Sequence, residues 1–188
     1  MRRRTRWAAA AAVIPLAAAA LALPAAGGAT GRPAGVDPPG GPLQEIGDAT
    51  ASFHNVDRAI DAGYVQFFGC VHEPLAGSMG IHFVNGSLVG DATVDPANPE
   101  ALLYEVKPNG RLALVGVEYV VFQEAWDAQN ATPPSLFDQT FTLVPSPNRF
   151  GIPAFYELHA WSSKPNPTGS FQDWNPAVLC PTTEGHTH

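Results

Sequence analysis

Ala101-Leu102-Leu103-Tyr104-Glu105-Val106-Lys107-Pro108-Asn109-Gly110-Arg111-Leu112-Ala113-Leu114-Val115-Gly116-Val117-Glu118-Tyr119-Val120-Val121-Phe122 is the stretch that decides the fold. Two apolar runs rich in β-branched and aromatic residues flank five residues of turn chemistry, which is the pattern of a hairpin. Pro108 suits the first central position of a type I turn, and Gly110 suits the left-handed bulge that follows. Lys107 is therefore expected opposite Arg111, Val106 opposite Leu112 and Tyr104 opposite Leu114. With uninterrupted alternation one face holds Leu102, Tyr104, Leu112, Leu114, Gly116, Glu118, Val120 and Phe122, while Glu105 points to the other. A slip of one residue would put both carboxylates on one face.

On the N-terminal side, Phe53, Val56 and Ile60 recur at helical spacing and Gly63 supplies a stop, so a short helix is predicted to end at Ala62. Tyr64 to Phe68 reads as extended. Met79 to Val84 reads as a strand ending in a tight turn at Asn85-Gly86, and Asp91 to Glu100 as a loop. On the C-terminal side, Gln123 to Gln129 reads as a helical turn, and Phe137 to Val144 and Pro153 to Trp161 as strands. A Pro- and Asn-rich arm runs on through Trp174 to Cys180. Antiparallel strands with one helix in front predict an α+β fold, a curved antiparallel sheet or small barrel with a pocket. There is too little βα alternation for a parallel doubly wound sheet.

The chain has 188 residues, enough for one domain with a real core and too few for two ordinary ones. Met1 to Trp7 carries four Arg, Ala8 to Leu23 is apolar, and small residues run from Ala25 to Ala29, the order of a secretory signal peptide over 1–29. A signal anchor is the rival reading, but Pro15 and Pro24 interrupt the run and no stop-transfer charges follow. Residues 30–47 read as a flexible lead, 48–180 as the single domain and 181–188 as a disordered tail. Export with cleavage makes the protein secreted, without a stable membrane anchor. Setting the four leader arginines aside from the 10 basic residues leaves 6 against 17 acidic ones, a net charge of −11. Such a surface repels nucleic acid and anionic lipid and attracts cations.

Cys70 and Cys180 are an even pair in an exported chain, and a disulfide is their simplest use. In the chain-entropy model, closing so long a loop stabilises the fold by roughly 4 to 5 kcal/mol. A nucleophilic or metal-ligating Cys70, two residues before His72, is the alternative.

Few residues can carry chemistry. Glu118 lies in a run that reads as buried on both faces, where a carboxylate needs a cation, a basic partner or strong hydrogen-bond donors. It is either a metal ligand or general base, or the structural partner of Arg58 or Arg149. His82 and His159 are mid-strand histidines among large apolar neighbours, and Phe155, Glu157, His159 and Trp161 share a face by the two-residue period. His82, His159 and Glu118 together make two histidines and one carboxylate, a set that holds a divalent metal ion with open positions. Glu157 is a fourth ligand or orients His159. His72 and Glu73 are loop candidates. Trp161, Trp174, Tyr156 and Phe171 form either an aromatic shelf or the packing of the C-terminal arm. No phosphate loop, paired CxxC or HExxH occurs.

Met79-Gly80-Ile81-His82-Phe83-Val84-Asn85, Pro99-Glu100-Ala101-Leu102-Leu103-Tyr104-Glu105, Leu114-Val115-Gly116-Val117-Glu118-Tyr119, Tyr156-Glu157-Leu158-His159-Ala160-Trp161 and Trp174-Asn175-Pro176 before Cys180 form a distinctive set. By these segments the chain from Asp48 to Cys180 resembles a family of exported bacterial proteins that has no assigned activity. The resemblance implies no mechanism. Some members of that family carry His where this chain has Phe155, a departure that bears against a four-ligand metal site. Two functions stay open: a divalent-metal site in a sheet pocket, in an enzyme acting on a small molecule, or an extracellular binding module whose His and Glu residues are structural.

Overall fold

The computed structural model describes residues 40–180. The expected signal peptide, the first part of the expected lead and the tail at 181–188 lie outside the described residues.

The central hairpin follows its turn chemistry. The Lys107 N–H donates to the Arg111 carbonyl at 2.8 Å, and strands β3 (Ala101–Val106) and β4 (Leu112–Phe122) run from that pair. Val106 opposes Leu112 and Tyr104 opposes Leu114, but Leu103 opposes Gly116, so Val115 is an extra residue in β4. A bulge of one residue exchanges the faces of everything beyond it. The expected alternation therefore fails after Leu114. Val117, Tyr119 and Val121 share a face with Leu102 and Tyr104, and Gly116, Glu118 and Val120 lie with Leu103 and Glu105.

The chain enters through α1 (Pro42–Ala49), a 3-10 turn (Ala51–His54) and α2 (Val56–Asp61). The expected flexible lead to Gly47 is thus helical from Pro42. Proline is well placed at a helix start, and the fully buried Ile46 anchors the turn to the core. The helix expected before Gly63 is interrupted at Asn55, whose side chain accepts the Asp57 N–H at 3.0 Å and caps α2. The phase resets there: Ala59 is buried and Ile60 is exposed.

Strands β1 (Val65–Glu73) and β2 (Gly77–Val84) follow, then α3 (Gly86–Val89). Asn85-Gly86 opens that helix instead of a hairpin turn, the Asn85 side chain accepting the Ser87 N–H at 3.1 Å. After β4 come α4 (Gln123–Asp127), β5 (Ser135–Leu136), β6 (Gln139–Thr140), β7 (Thr142–Val144) and β8 (Phe155–Ala160). The strand expected over Phe137 to Val144 is broken because Phe137 and Asp138 both take positive φ, turning the chain between β5 and β6.

Six strands form one curled antiparallel sheet in the order β1-β2-β3-β4-β8-β7, so the expected α+β class with a curved sheet is correct. Its core face packs Leu102, Tyr104, Leu114, Tyr119 and Leu158 against Ile46, Ala59 and Tyr64 of the front segment. The opposite face carries a smaller cluster of Leu103, Val115, Trp161 and Val178. Tyr156 and Phe171 belong to the core face and Trp161 to the other, so the four aromatics do not make a shelf.

Cys70 and Cys180 form a disulfide with Cα atoms 5.5 Å apart, joining β1 to the end of the arm. The arm is also tied by Asn175, whose backbone exchanges hydrogen bonds with Ser78 at 3.1 and 3.2 Å. Among the described residues, no helix is long and apolar enough to cross a membrane.

Candidate metal centre

Sheet register places four polar side chains on the face opposite the main core. His82 on β2 opposes Leu103, Glu118 on β4 lies between Ala101 on β3 and His159 on β8, and Glu157 opposes Val120. His82 and Glu118 are on strands separated by β3. The intervening Ala101 carries only a methyl group, and the His82 Nε2 reaches to 3.4 Å from the Glu118 Oε2. Gly80 holds β2 tightly to β3 just before His82. Its φ is +90°, and a Cβ there would meet the Tyr104 carbonyl at 2.6 Å.

One ligand atom from each of His82, Glu118 and His159 lies within 4.8 Å of the other two, and the same holds for Glu157, His159 and Asp173. The four sequence candidates therefore converge on His159, which belongs to both groups. Donors bonded to a single ion at about 2.1 Å stand about 3 to 3.5 Å apart, a contraction that side-chain rotation supplies.

All four candidates are buried, and His159 is fully enclosed at 0% exposure. The Nδ1 of His82 and both ring nitrogens of His159 have no hydrogen-bond partner. The nearest approach to the His159 Nδ1 is the Asp173 Oδ1 at 3.7 Å, beyond hydrogen-bond reach. Buried polar atoms left without a partner cost about 1 to 3 kcal/mol each. Buried polar groups in this state call for a partner, and an ion or an ordered water can supply one.

The electrostatics separate the two imidazoles. Burial, helped by the neighbouring His159, pushes His82 down to about 3, so it is neutral and presents a lone pair on one ring nitrogen. Burial also works against the charged form of His159, but the Glu118, Asp173 and Glu157 carboxyls outweigh it and lift the ring to about 9. Burial raises Glu118 well above the ordinary carboxylate range, and the neighbouring Glu157 carboxyl adds to the rise. Glu157 is raised by burial as well. Protons thus occupy a site where two carboxyls and two imidazoles face one another. A divalent cation can take the place of those protons, and the buried cluster can hold a metal ion.

The expected partners of Glu118 among the basic residues lie elsewhere. Arg149 faces Glu73 at 3.9 Å and the Trp174 ring at 5.6 Å, and Arg58 is on the exposed side of α2. Lys107 and Lys164 both pair with Glu105. His72 and Glu73 are part of β1, not a loop, and His72 contacts the Ser78 Oγ at 3.2 Å, away from the cluster.

Two carboxylates escaped the sequence reading. Asp173 sits in the irregular arm, where periodicity gives no orientation. Its only signal is adjacency to Trp174-Asn175-Pro176. Glu100, just before β3, is 2% exposed and accepts the Val120 N–H at 3.0 Å. Fold and cluster together define an antiparallel half-barrel with a buried His-Glu-His set. No family model, no curated protein and no solved structure matches the chain.

Proposed function

We propose that the protein is exported and binds one divalent metal ion through His82, Glu118 and His159, with Glu157 beside them in support. The observation that carries this reading is the fully enclosed His159 ring with both nitrogens unpartnered, next to the buried Glu118 carboxyl and the buried imidazole of His82. An ion held by two imidazoles and one carboxylate keeps open positions and supplies Lewis acidity toward an oxygen donor. Aromatic rings flank the set: Phe150 lies 6.4 Å from the His82 ring and Trp161 stacks at 6.2 Å from His159. The acidic surface supports the reading by concentrating cations. On this reading, three of the segments that carry the family resemblance supply the ligands: those holding His82, Glu118, and Glu157 with His159.

The test is elemental analysis of protein purified without a histidine tag and exposed to zinc, manganese or iron(II), then desalted. About one equivalent of one metal per chain, lost in His82→Ala, is the expected result. A folded chain that retains none of the three metals is the His and Glu core of a non-catalytic binding module.

A further inference from the structure

Two cavities flank the cluster, and they differ in chemistry. One, of about 190 Å³, has a mixed wall in which Asn148, Arg149, Glu157 and Asp173 stand beside apolar and aromatic side chains. The other, of about 290 Å³, is walled by Val, Ile and Phe side chains, with His82 and Glu118 as its charged or titratable lining residues. Phe150 walls both. The apolar cavity therefore has one polar end, and that end is the candidate centre.

Its mouth lies at an edge of the sheet. The pairing of β1 with β2 is interrupted between Gln66 and Cys70. Val65, just before the interruption, and Phe67, within it, are 61% and 47% exposed, although both line the cavity. Apolar side chains left in water around an apolar cavity are the arrangement expected of a ligand entrance.

From this asymmetry we infer that the 290 Å³ cavity binds a small apolar molecule ending in an oxygen donor, hydrocarbon toward Val65 and Phe67, donor toward His82 and Glu118. The inference deepens the metal-binding reading and rests on it for the donor's partner. A divalent ion with one bound carboxylate leaves a net positive charge, which selects a neutral or singly anionic donor. At about 30 Å³ for each water-sized unit of liquid, the cavity accommodates a molecule of about ten non-hydrogen atoms. Octanoate has that size and polarity.

The experiment is calorimetric titration of octanoate and butanoate into the full chain, both metal-free and zinc-loaded. Each buried methylene is worth about fourfold in affinity, so octanoate should exceed butanoate by a factor of the order of a hundred. Ile152→Trp, which fills the cavity from a surface loop, should remove most of that preference and leave the zinc content unchanged. Val65→Asp, at the exposed rim, should weaken octanoate without affecting folding. Equal binding of the two acids, or a preference that survives both substitutions, overturns the inference even if zinc binds. A chain that binds no zinc but still prefers octanoate in a manner sensitive to Ile152→Trp leaves the inference standing and removes the metal.

Discussion

Glu118 stands directly opposite His159 on adjacent strands, and both point away from the main core because Val115 is bulged out of the preceding register. The centre thus depends on one inserted residue. Without it Glu118 would share a face with Leu102 and Tyr104, among the largest buried apolar side chains.

Deletion of Val115 should therefore prevent folding, since it would place the Glu118 carboxyl in the core and send Tyr119 and Val121 out of it. Val115→Ala keeps the bulge and removes only packing with Leu103, Trp161 and Val178. That change should cost about 2 kcal/mol and leave metal binding intact. Circular dichroism and thermal melting of the two variants decide the matter: a stably folded deletion variant would show that the register is set elsewhere.

Glu118→Gln keeps size and hydrogen bonding but removes the negative charge. Metal content should fall from about one equivalent to a small fraction of that, and the metal-free melting temperature should stay the same or rise, because the variant no longer buries a titrating group. A structural ion-pair partner would behave in the opposite way, with a clear drop in melting temperature and no change in metal.

The hairpin could be read from sequence because Pro108 and Gly110 impose a specific turn, and the turn fixes the pairing nearest to it. The bulge could not be read with the same security, because Val115-Gly116-Val117 is apolar on either alternation. Gly116 was the available sign, since a lone glycine in a strand marks a bulge or a close backbone approach. A Cβ at that position would lie 2.6 Å from the Ala160 carbonyl. Three metal candidates stood out as polar residues inside apolar strands, where burial of a titratable group demands a reason. Asp173 did not, since its position is set by the Asn175 bridge and the disulfide rather than by any period.

The Asp173 Oδ1 lies 3.7 Å from the His159 Nδ1, and on the metal-binding reading it serves as a positioning group for that ring. A carboxylate that closes to hydrogen-bond distance on such a nitrogen orients a metal-ligating imidazole and raises its basicity, and the ring rotation that gathers the ligands about an ion can supply that closure. Asp173→Asn should lower metal affinity by about ten- to a hundredfold while leaving the chain folded. Competition against a chromophoric chelator measures the change, and an affinity equal to that of the parent would remove Asp173 from the centre.

The same segment is anchored by the bond between Cys70 and Cys180, which closes a loop of 110 residues. Replacing both cysteines by serine should cost about 4 kcal/mol in the chain-entropy model. Loss of the anchor also frees the arm that carries Asp173, so metal affinity should fall in the same variant. Urea unfolding and chelator competition on one preparation test both effects. A destabilised variant with unchanged affinity would show that the hydrogen bonds of Trp161 to Ser170 and Gln172 and of Asn175 to Ser78 position the arm without the disulfide.

Glu100 gives the protein a pH dependence separate from the metal ligands. Burial lifts its carboxyl from 4.5 to about 8, against the opposing pull of the Val120 N–H, and the acidic Asp91 and Asp95 add to the rise. The phenols of Tyr64 and Tyr119 also feel its charge. The folded chain therefore holds a proton that the unfolded chain releases between these two values. Stability from this group is complete below about pH 4.5, declines as pH rises, and levels off above about pH 8. Each tenfold difference in proton affinity is worth about 1.4 kcal/mol, so the decline amounts to a few kcal/mol. Glu100→Gln is neutral throughout, and its amide oxygen can still accept the Val120 N–H. It should flatten the decline and make the variant more stable than the parent in alkaline buffer, with little difference in acid. Urea unfolding of both proteins at about pH 5 and about pH 8.5 supplies the comparison, and parallel pH profiles for the two would mean that Glu100 is ionised in the folded chain.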